Sequence, residues 1–397
     1  MAITINANPK DYAPVYNKME YLLTSTNFAQ TNFSFLVDIY INGAVTKTAR
    51  LRIPKRPSDD KGLVDIHRIL EATLTFDVGD TASILGNNDA SNSSLSYVVK
   101  FGEEYGTTVA QYPDLTVDST RYAINASLER QEFIDWNILD YFPSASTSKF
   151  LTNAPLSQNV SIDDHGWLYH RASGFLTKYT VTTYNSLGVI GTWSVDTPAT
   201  SAIQYVAAAP VSLNLIDNAD LLVGVQPIIT TDTEYYTING AGVGVPTETR
   251  TFVIKEPCKF NANRLIFQNK LGGFDGYTFY NGDSSTYSIE RKTMKVNVDN
   301  VSGTSIVYSM SDRDKVQYYT KTTETIKLMS DWLSEAEDAW LLELIESPVI
   351  YLQNGNDLIA VSNIKATSHT KKKVAREKLF RLDVELELGY DNYRQRG

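Results

Sequence analysis

A single cysteine in 397 residues, Cys258, excludes an intramolecular disulfide and gives no sign of an oxidising compartment; a lone thiol of this kind reads as a small buried hydrophobe. Histidine is nearly as scarce, with four copies, which limits general acid–base and metal chemistry. No stretch of eighteen apolar residues occurs, so a membrane-spanning helix is not expected. The opening MAITINANPKDYAPVYNK lacks the basic start and apolar segment of a secretory signal, and synthesis in a cytosol is expected. A G-x-S-x-G elbow is missing, and no histidine stands near Cys258 in sequence to make it a nucleophile. Converging acids could still form a glycosidase pair, which needs proximity in space rather than a motif. Basic residues are outnumbered 36 to 46, giving a formal charge of −10 that disfavours general attraction to nucleic acid or anionic membrane.

What the chain has in quantity is tyrosine, 24 copies, with much Thr, Ser and Asn and few helical patterns. This composition predicts a mainly β, multidomain protein: β-sandwich or barrel parts, a few short helices and a C-terminal α+β part. Three domains are expected, at 1–149, 150–256 and 257–397. In the first, Phe33, Phe35, Val37, Ile39 and Ile41 alternate with polar residues, Asn42 and Gly43 supply a two-residue turn, and Val45, Ala49, Leu51 and Ile53 return. VDIHRILEATL and LERQEFIDWNILDYF predict short helices; Leu128, Phe133, Trp136 and Leu139 mark the apolar face of the second. In the middle, KYTVTTYNSLGVIGTWSV reads as strand, turn at Asn185–Gly188, strand. The last domain holds one strong helix, SDWLSEAEDAWLLELIES, capped by Ser330 or Asp331, with Trp340, Leu341, Leu344 and Ile345 on its apolar face. A hairpin around Asn354 and Gly355 follows, and KLFRLDVELELGY reads as an edge or interface strand.

Three stretches invite chemistry. RLIFQNKLGGFDGYTFYNG places three glycines within five residues, but a phosphate loop needs a helix start and commonly a Lys followed by Ser or Thr. Here Tyr277, Thr278 and Phe279 favour a strand, so Gly272, Gly273, Phe274 and Gly276 read as a structural corner: positive φ at Gly272 and Gly273, close strand approach at Gly276. SIDDHGWLYH gathers Asp163, Asp164, His165 and His170, the only cluster of metal-ligand types; its five-residue His spacing suits neither one helix face nor one strand face, and a turn with an exposed acidic pair is the plainer reading. KATSHTKKKVAREKLFR concentrates Lys371, Lys372, Lys373 and Arg376 around His369. It lacks the interleaved aromatics that stack bases, which favours a solvated turn or an acidic neighbouring subunit over a phosphate backbone. His67 reads as an ordinary helix-surface histidine.

RLIFQNKLGGFDGYTF and SDWLSEAEDAWLLELIESPVIYL resemble virion structural proteins of tailed phages of Bacteroidetes, including crAss-like phages, which carry an "L.FLN..GG.D.F.F" corner and a "WL...E...L..L..SP..YL" helix and strand. The resemblance covers about the last 140 residues; YNKMEYLLTSTNFAQTNFSFLVDIYING and ARLRIPKRP extend it less specifically to the start. It implies a neck, collar-ring, tail-hub or tail-tip component assembled as a symmetric ring, located in the virion and without catalytic residues. The expected role is therefore structural rather than enzymatic, with no cofactor or metal. Expected partners are copies of itself and other neck, portal or tail proteins, with passive genome contact in transit but neither membrane nor sequence-specific nucleic acid binding. Asn42, Gly43, Lys371, Lys372, Lys373, Arg376 and Leu386 are the expected subunit contacts. Alternatives are a receptor- or glycan-binding head or tail fibre, with Trp167 or Trp193 as a stacking platform, a capsid-decorating or shell protein, and a tail-borne hydrolase.

Overall fold

The computed structural model describes residues 3–79, 87–141, 148–171, 176–196, 203–216, 225–242, 246–256, 262–296, 301–307, 309–364 and 380–394. The protein is mainly β and multidomain, built from several antiparallel and mixed sheets with three short α-helices among the described residues. It divides into two compact units. Unit 1 comprises Met1–Lys255 and Gln268–Gly276; unit 2 comprises Glu256–Phe267 and Tyr277–Gly397.

Unit 1 opens with a six-stranded sheet ordered Ala13–Pro14, Arg121–Ile124, Ser94–Tyr105, Ser34–Ile41, Ala49–Pro54, with Ala110–Val117 also paired to Ser94–Tyr105. A three-stranded sheet, Ile3–Ala7, Glu20–Ser25 and Gly62–Asp65, shares its core. Phe35, Val37, Ile39, Val99 and Phe101 from the larger sheet meet Tyr21, Leu23 and Val64 from the smaller, as period-two alternation dictates. Asp38 breaks that pattern because Arg50 lies directly opposite it across the strand pair, with Lys47 3.6 Å away. Burial pushes the Asp38 carboxyl up, but the two cations outweigh it and hold the group below its ordinary value.

The rest of unit 1 is a five-stranded sheet, Ser157–Val160, Arg250–Ile254, Tyr235–Gly242, Leu176–Asn185, Gly188–Asp196, sharing a core with Trp167–Arg171 and Ile203–Ala207 of a three-stranded sheet. The third strand of that small sheet is Asn87–Asp89. It comes from the first 149 residues, so the stretches expected as separate domains share a sheet.

Burial in this second core sets a pH dependence. His170 packs edge-on to Tyr179 at 4.7 Å, and burial pushes its imidazole down to about 3, only weakly opposed by Gln204 and the Leu168 backbone. An unfolded imidazole takes its proton below about 6.5, so between that value and about 3 the unfolded state binds more protons. Stability contributed by neutral His170 is complete above that window and falls as pH falls through it, by up to about 1.4 kcal/mol per pH unit. His170→Phe is expected to remove this slope while leaving the further loss below 3.8 that comes from Asp38. Urea midpoints measured at several pH values check both parts.

The main sheet of unit 2 has eight strands, ordered Phe274–Phe279, Asn263–Gln268, Ile350–Asn354, Asp357–Ile364, Asp383–Leu388, Lys315–Met329, Asp283–Lys295, with Asn392–Tyr393 also on Lys315–Met329; Val301–Ser302 and Ser305–Ile306 form a separate two-stranded sheet. The helix Glu335–Glu346 buries Trp340, Leu341 and Leu344, and Trp340 lies 5.8 Å from Phe267 and 6.1 Å from Tyr277. Its cap is Ser334, not Ser330 or Asp331: Ser334 Oγ accepts from Glu337 N–H while the Glu337 carboxylate accepts from Ser334 N–H. This Ser-x-x-Glu box satisfies two backbone donors together, which neither upstream residue does.

Other expectations shift locally. Asn42 and Gly43 do form a turn with φ of 51° and 69°, and Ala44 N–H reaches Ile41 O at 3.0 Å. Strand pairing resumes only at Ala49, which leaves Val45 in the loop and almost fully exposed. The second predicted helix breaks into Arg130–Asp135 and a 3₁₀ turn Ile138–Tyr141, so Ile138 is buried and Leu139 is not. The later hairpin pairs Asn354 with Asp357, making Gly355 and Asn356 its turn residues.

Candidate assembly surfaces

The glycine corner is built from Asn269, one residue beyond the strand Asn263–Gln268. Its side-chain Oδ1 accepts from the N–H groups of Leu271 and Gly273, both at 3.0 Å, and its carbonyl accepts from Gly272 N–H at 3.2 Å. The donors a phosphate would need are thus already used, and a strand rather than a helix follows. Asn269 Nδ2 donates to Leu151 O at 2.9 Å, and Asp275 accepts from Thr152 Oγ1 at 2.7 Å. Phe274 is buried against Phe76 and Tyr169. Gly272 has φ +88°, but Gly273 does not adopt positive φ. At Gly273 the approach is close: a Cβ would stand 2.8 Å from the Tyr169 ring. Gly276 is half-buried in its strand.

The acid–histidine stretch is a cross-link. Asp164 is buried, its carboxylate accepting from Ser161 N–H at 2.8 Å, and only Asp163 is exposed, which corrects the expected exposed pair. His165 Nδ1 and Ser212 Oγ lie 3.2 Å apart with neither residue exposed, so this pair fastens two turns where no substrate can reach it. Among the described residues no three His, Cys, Asp or Glu side chains group as metal ligands, and no helix is long and apolar enough to cross a membrane.

The expected contact residues fare unequally. Asn42 and Gly43 sit exposed on their turn, where Asn42 Oδ1 accepts from Ser96 N–H at 3.1 Å. Leu386 is fully buried: its strand lies between Asp357–Ile364 and Lys315–Met329, paired on both sides, which corrects its placement at an edge. Lys371, Lys372, Lys373, Arg376, His369 and Cys258 lie outside the described residues. Trp167 is buried and Trp193 is half-buried over Gly191.

The largest unexpected surface is a two-stranded ribbon. Asp283–Lys295 pairs along its whole length with Lys315–Met329, and all thirteen of its residues are exposed. Among the described residues, Asp383–Leu388 backs the base, Thr325–Met329, and Asn392–Tyr393 adds support at Lys321–Thr322. From Tyr287 to Lys295 the ribbon extends about 30 Å at the usual strand rise. No protein-family model matches the chain, and no curated protein matches its sequence.

Free two-stranded ribbons are marginal in water, and this one is held by Tyr287 O–H donating to Glu324 at 2.9 Å, Lys321–Asp391 at 2.8 Å and Lys292 over the Tyr319 ring at 4.8 Å. Tyr319 also packs against Tyr393 at 6.0 Å. Tyr287 and Ile289, 59% and 45% exposed, stay in water. In unit 1 the strand Gly188–Asp196 is an open edge among the described residues, nine residues without Lys or Pro and with Val189 and Ile190 exposed. Proteins usually blunt such edges unless something covers them. Strands up to about residue 328 are expected from the sequence, but exposure on both faces leaves no apolar alternation to mark them as a ribbon.

Proposed function

We propose that the protein is an assembly subunit of a tailed-phage virion, joining copies of itself into a symmetric ring or adaptor of the neck or tail. The observation that carries this reading is the ribbon: a long, outward, apolar-bearing strand pair with no core of its own gains stability once a neighbour covers it. The virion setting rests on the resemblance of the corner and of the capped helix with its following strand. Neither element is left for chemistry, since the corner consumes its own backbone donors and the helix buries its apolar face. Ring closure calls for a heterologous contact repeated around an axis, and a projecting arm supplies one half of it. Other neck, portal or tail proteins would meet the remaining edges, including Gly188–Asp196.

Copy number tests this reading. Quantitative mass spectrometry of purified virions is expected to find on the order of ten copies per particle, as one ring requires. Hundreds of copies would assign the chain to the shell, and absence from particles would remove it from the virion.

A further inference from the structure

The ribbon has two unlike faces. Alternation puts Tyr287, Ile289, Arg291 and Lys295 on one face, with Lys315 directly opposite Lys295 across the pair. Arg291, Lys295 and Lys315 make no ion pair among the described residues, whereas Lys292 and Lys321 on the other face are paired to Glu290 and Asp391. Like charges placed directly opposite destabilise a strand pair, and an anionic partner lying across Lys295 and Lys315 would reverse that cost.

Nearly all of the chain's net charge of −10 falls on unit 1. Its sharpest acidic feature is the knuckle formed by the helix Arg130–Asp135 and the turn Ile138–Tyr141. Lys10 fastens this knuckle from behind by donating to the carbonyls of Phe133, Ile134 and Trp136 at 2.6–3.0 Å. In front is a cleft of about 160 Å³ floored by Leu128, Trp136 and Leu271 and rimmed by Glu132, Asp135 and Asp140. The three rim carboxylates have no cationic partner among the described residues; Glu129 nearby does, in Lys270 at 2.8 Å. Exposed Ile134 and Leu139 flank them on the same two elements. The cleft is too small for a sugar chain or cofactor but has room for one apolar side chain.

We infer that the ribbon face of Tyr287, Ile289, Arg291, Lys295 and Lys315 docks on the knuckle cleft of a second copy, setting three cations against three carboxylates, all without an ion-pair partner among the described residues, with an apolar side chain between them. This rests on the assembly reading and supplies its heterologous contact. Nucleic acid is the competing occupant of a basic ribbon, but Tyr287 and Ile289 share the face, and the acidic remainder of the chain opposes a polyanion.

A charge swap tests it on the full-length protein. One variant carries Arg291→Glu, Lys295→Glu and Lys315→Glu; the other carries Glu132→Lys, Asp135→Lys and Asp140→Lys. All six positions are exposed, and circular dichroism with urea unfolding verifies that both variants fold. Mass photometry at low salt is expected to show self-association of the wild type, at least tenfold weaker association of each variant alone, and recovery when the two are mixed. Loss in the ribbon variant without loss in the knuckle variant, or no recovery on mixing, overturns this docking while the assembly reading stands. A wild type that stays monomeric at every concentration overturns both. Binding of duplex DNA by the wild type but not by the ribbon variant, with self-association unchanged, assigns the face to nucleic acid instead.

Discussion

Gly272→Val is expected to destabilise unit 1 by about 3 kcal/mol or more, enough to leave much of the protein unfolded or aggregated at moderate temperature. Two costs combine. At φ +88° an L side chain is strained, and its Cβ would sit 2.6 Å from the Asn125 carbonyl oxygen, a backbone atom that cannot swing aside. Gly273→Val meets a different obstacle of similar size. Its Cβ would lie 2.8–2.9 Å from Tyr169, whose ring is buried and whose hydroxyl donates to Asp77 O at 2.6 Å. Gly43→Ala is the control: φ is +69°, but nothing stands within 4 Å, so strain alone applies and the cost is about 1 kcal/mol. Equilibrium urea unfolding of the three variants separates the effects. A Gly272→Val protein as stable as the Gly43→Ala control would mean that the corner is not packed as described.

The second large effect concerns association. Ile289 and Thr322 face each other across the ribbon, so residues 290–321 can be excised and the two ends joined through an Asn-Gly turn. The shortened protein is expected to stay folded with only a small loss of stability, because Asp283–Lys295 contributes no core; the excision removes the buried Thr320, the Tyr319–Tyr393 ring contact at 6.0 Å, the pairing of Lys321 with Tyr393 and the partly exposed Lys321–Asp391 pair. Self-association is expected to weaken by at least roughly 100-fold, about 2.7 kcal/mol, if the arm holds the central contact of the interface. Sedimentation velocity across a concentration series measures it. Unchanged association would place the interface elsewhere, with the open edge Gly188–Asp196 next to be tested.

The parts of the fold legible in the sequence were those with a one-sided pattern. Phe35, Val37 and Ile39 alternate and do line the unit 1 core, and Trp340, Leu341 and Leu344 recur at helical spacing and do face inward. The terminal strand shows the limit of such patterns. Val384, Leu386 and Leu388 alternate with Asp383 or Glu385 and Glu387, which fits an edge as well as an interior strand with one wet face. Only its two neighbours, Asp357–Ile364 and Lys315–Met329, decide between them, and pairing across the chain leaves no local mark. The candidate site was less visible still. The ribbon has two wet faces and hence no periodic signal, and the knuckle depends on Lys10, more than a hundred residues away, closing its helix end. Asn269 was the one readable element overlooked: an Asn just ahead of paired glycines is the side chain that can organise such a turn.

Ribbon-mediated ring assembly is tested most directly by electron cryo-microscopy of purified virions with focused reconstruction of the neck and tail. The expected result is one rotationally symmetric ring of this chain in which the strand pair Asp283–Lys295 and Lys315–Met329 of each copy lies against its neighbour. A ring whose ribbons stand free in solvent, or density for the chain only in the icosahedral shell or in projecting fibres, would contradict it.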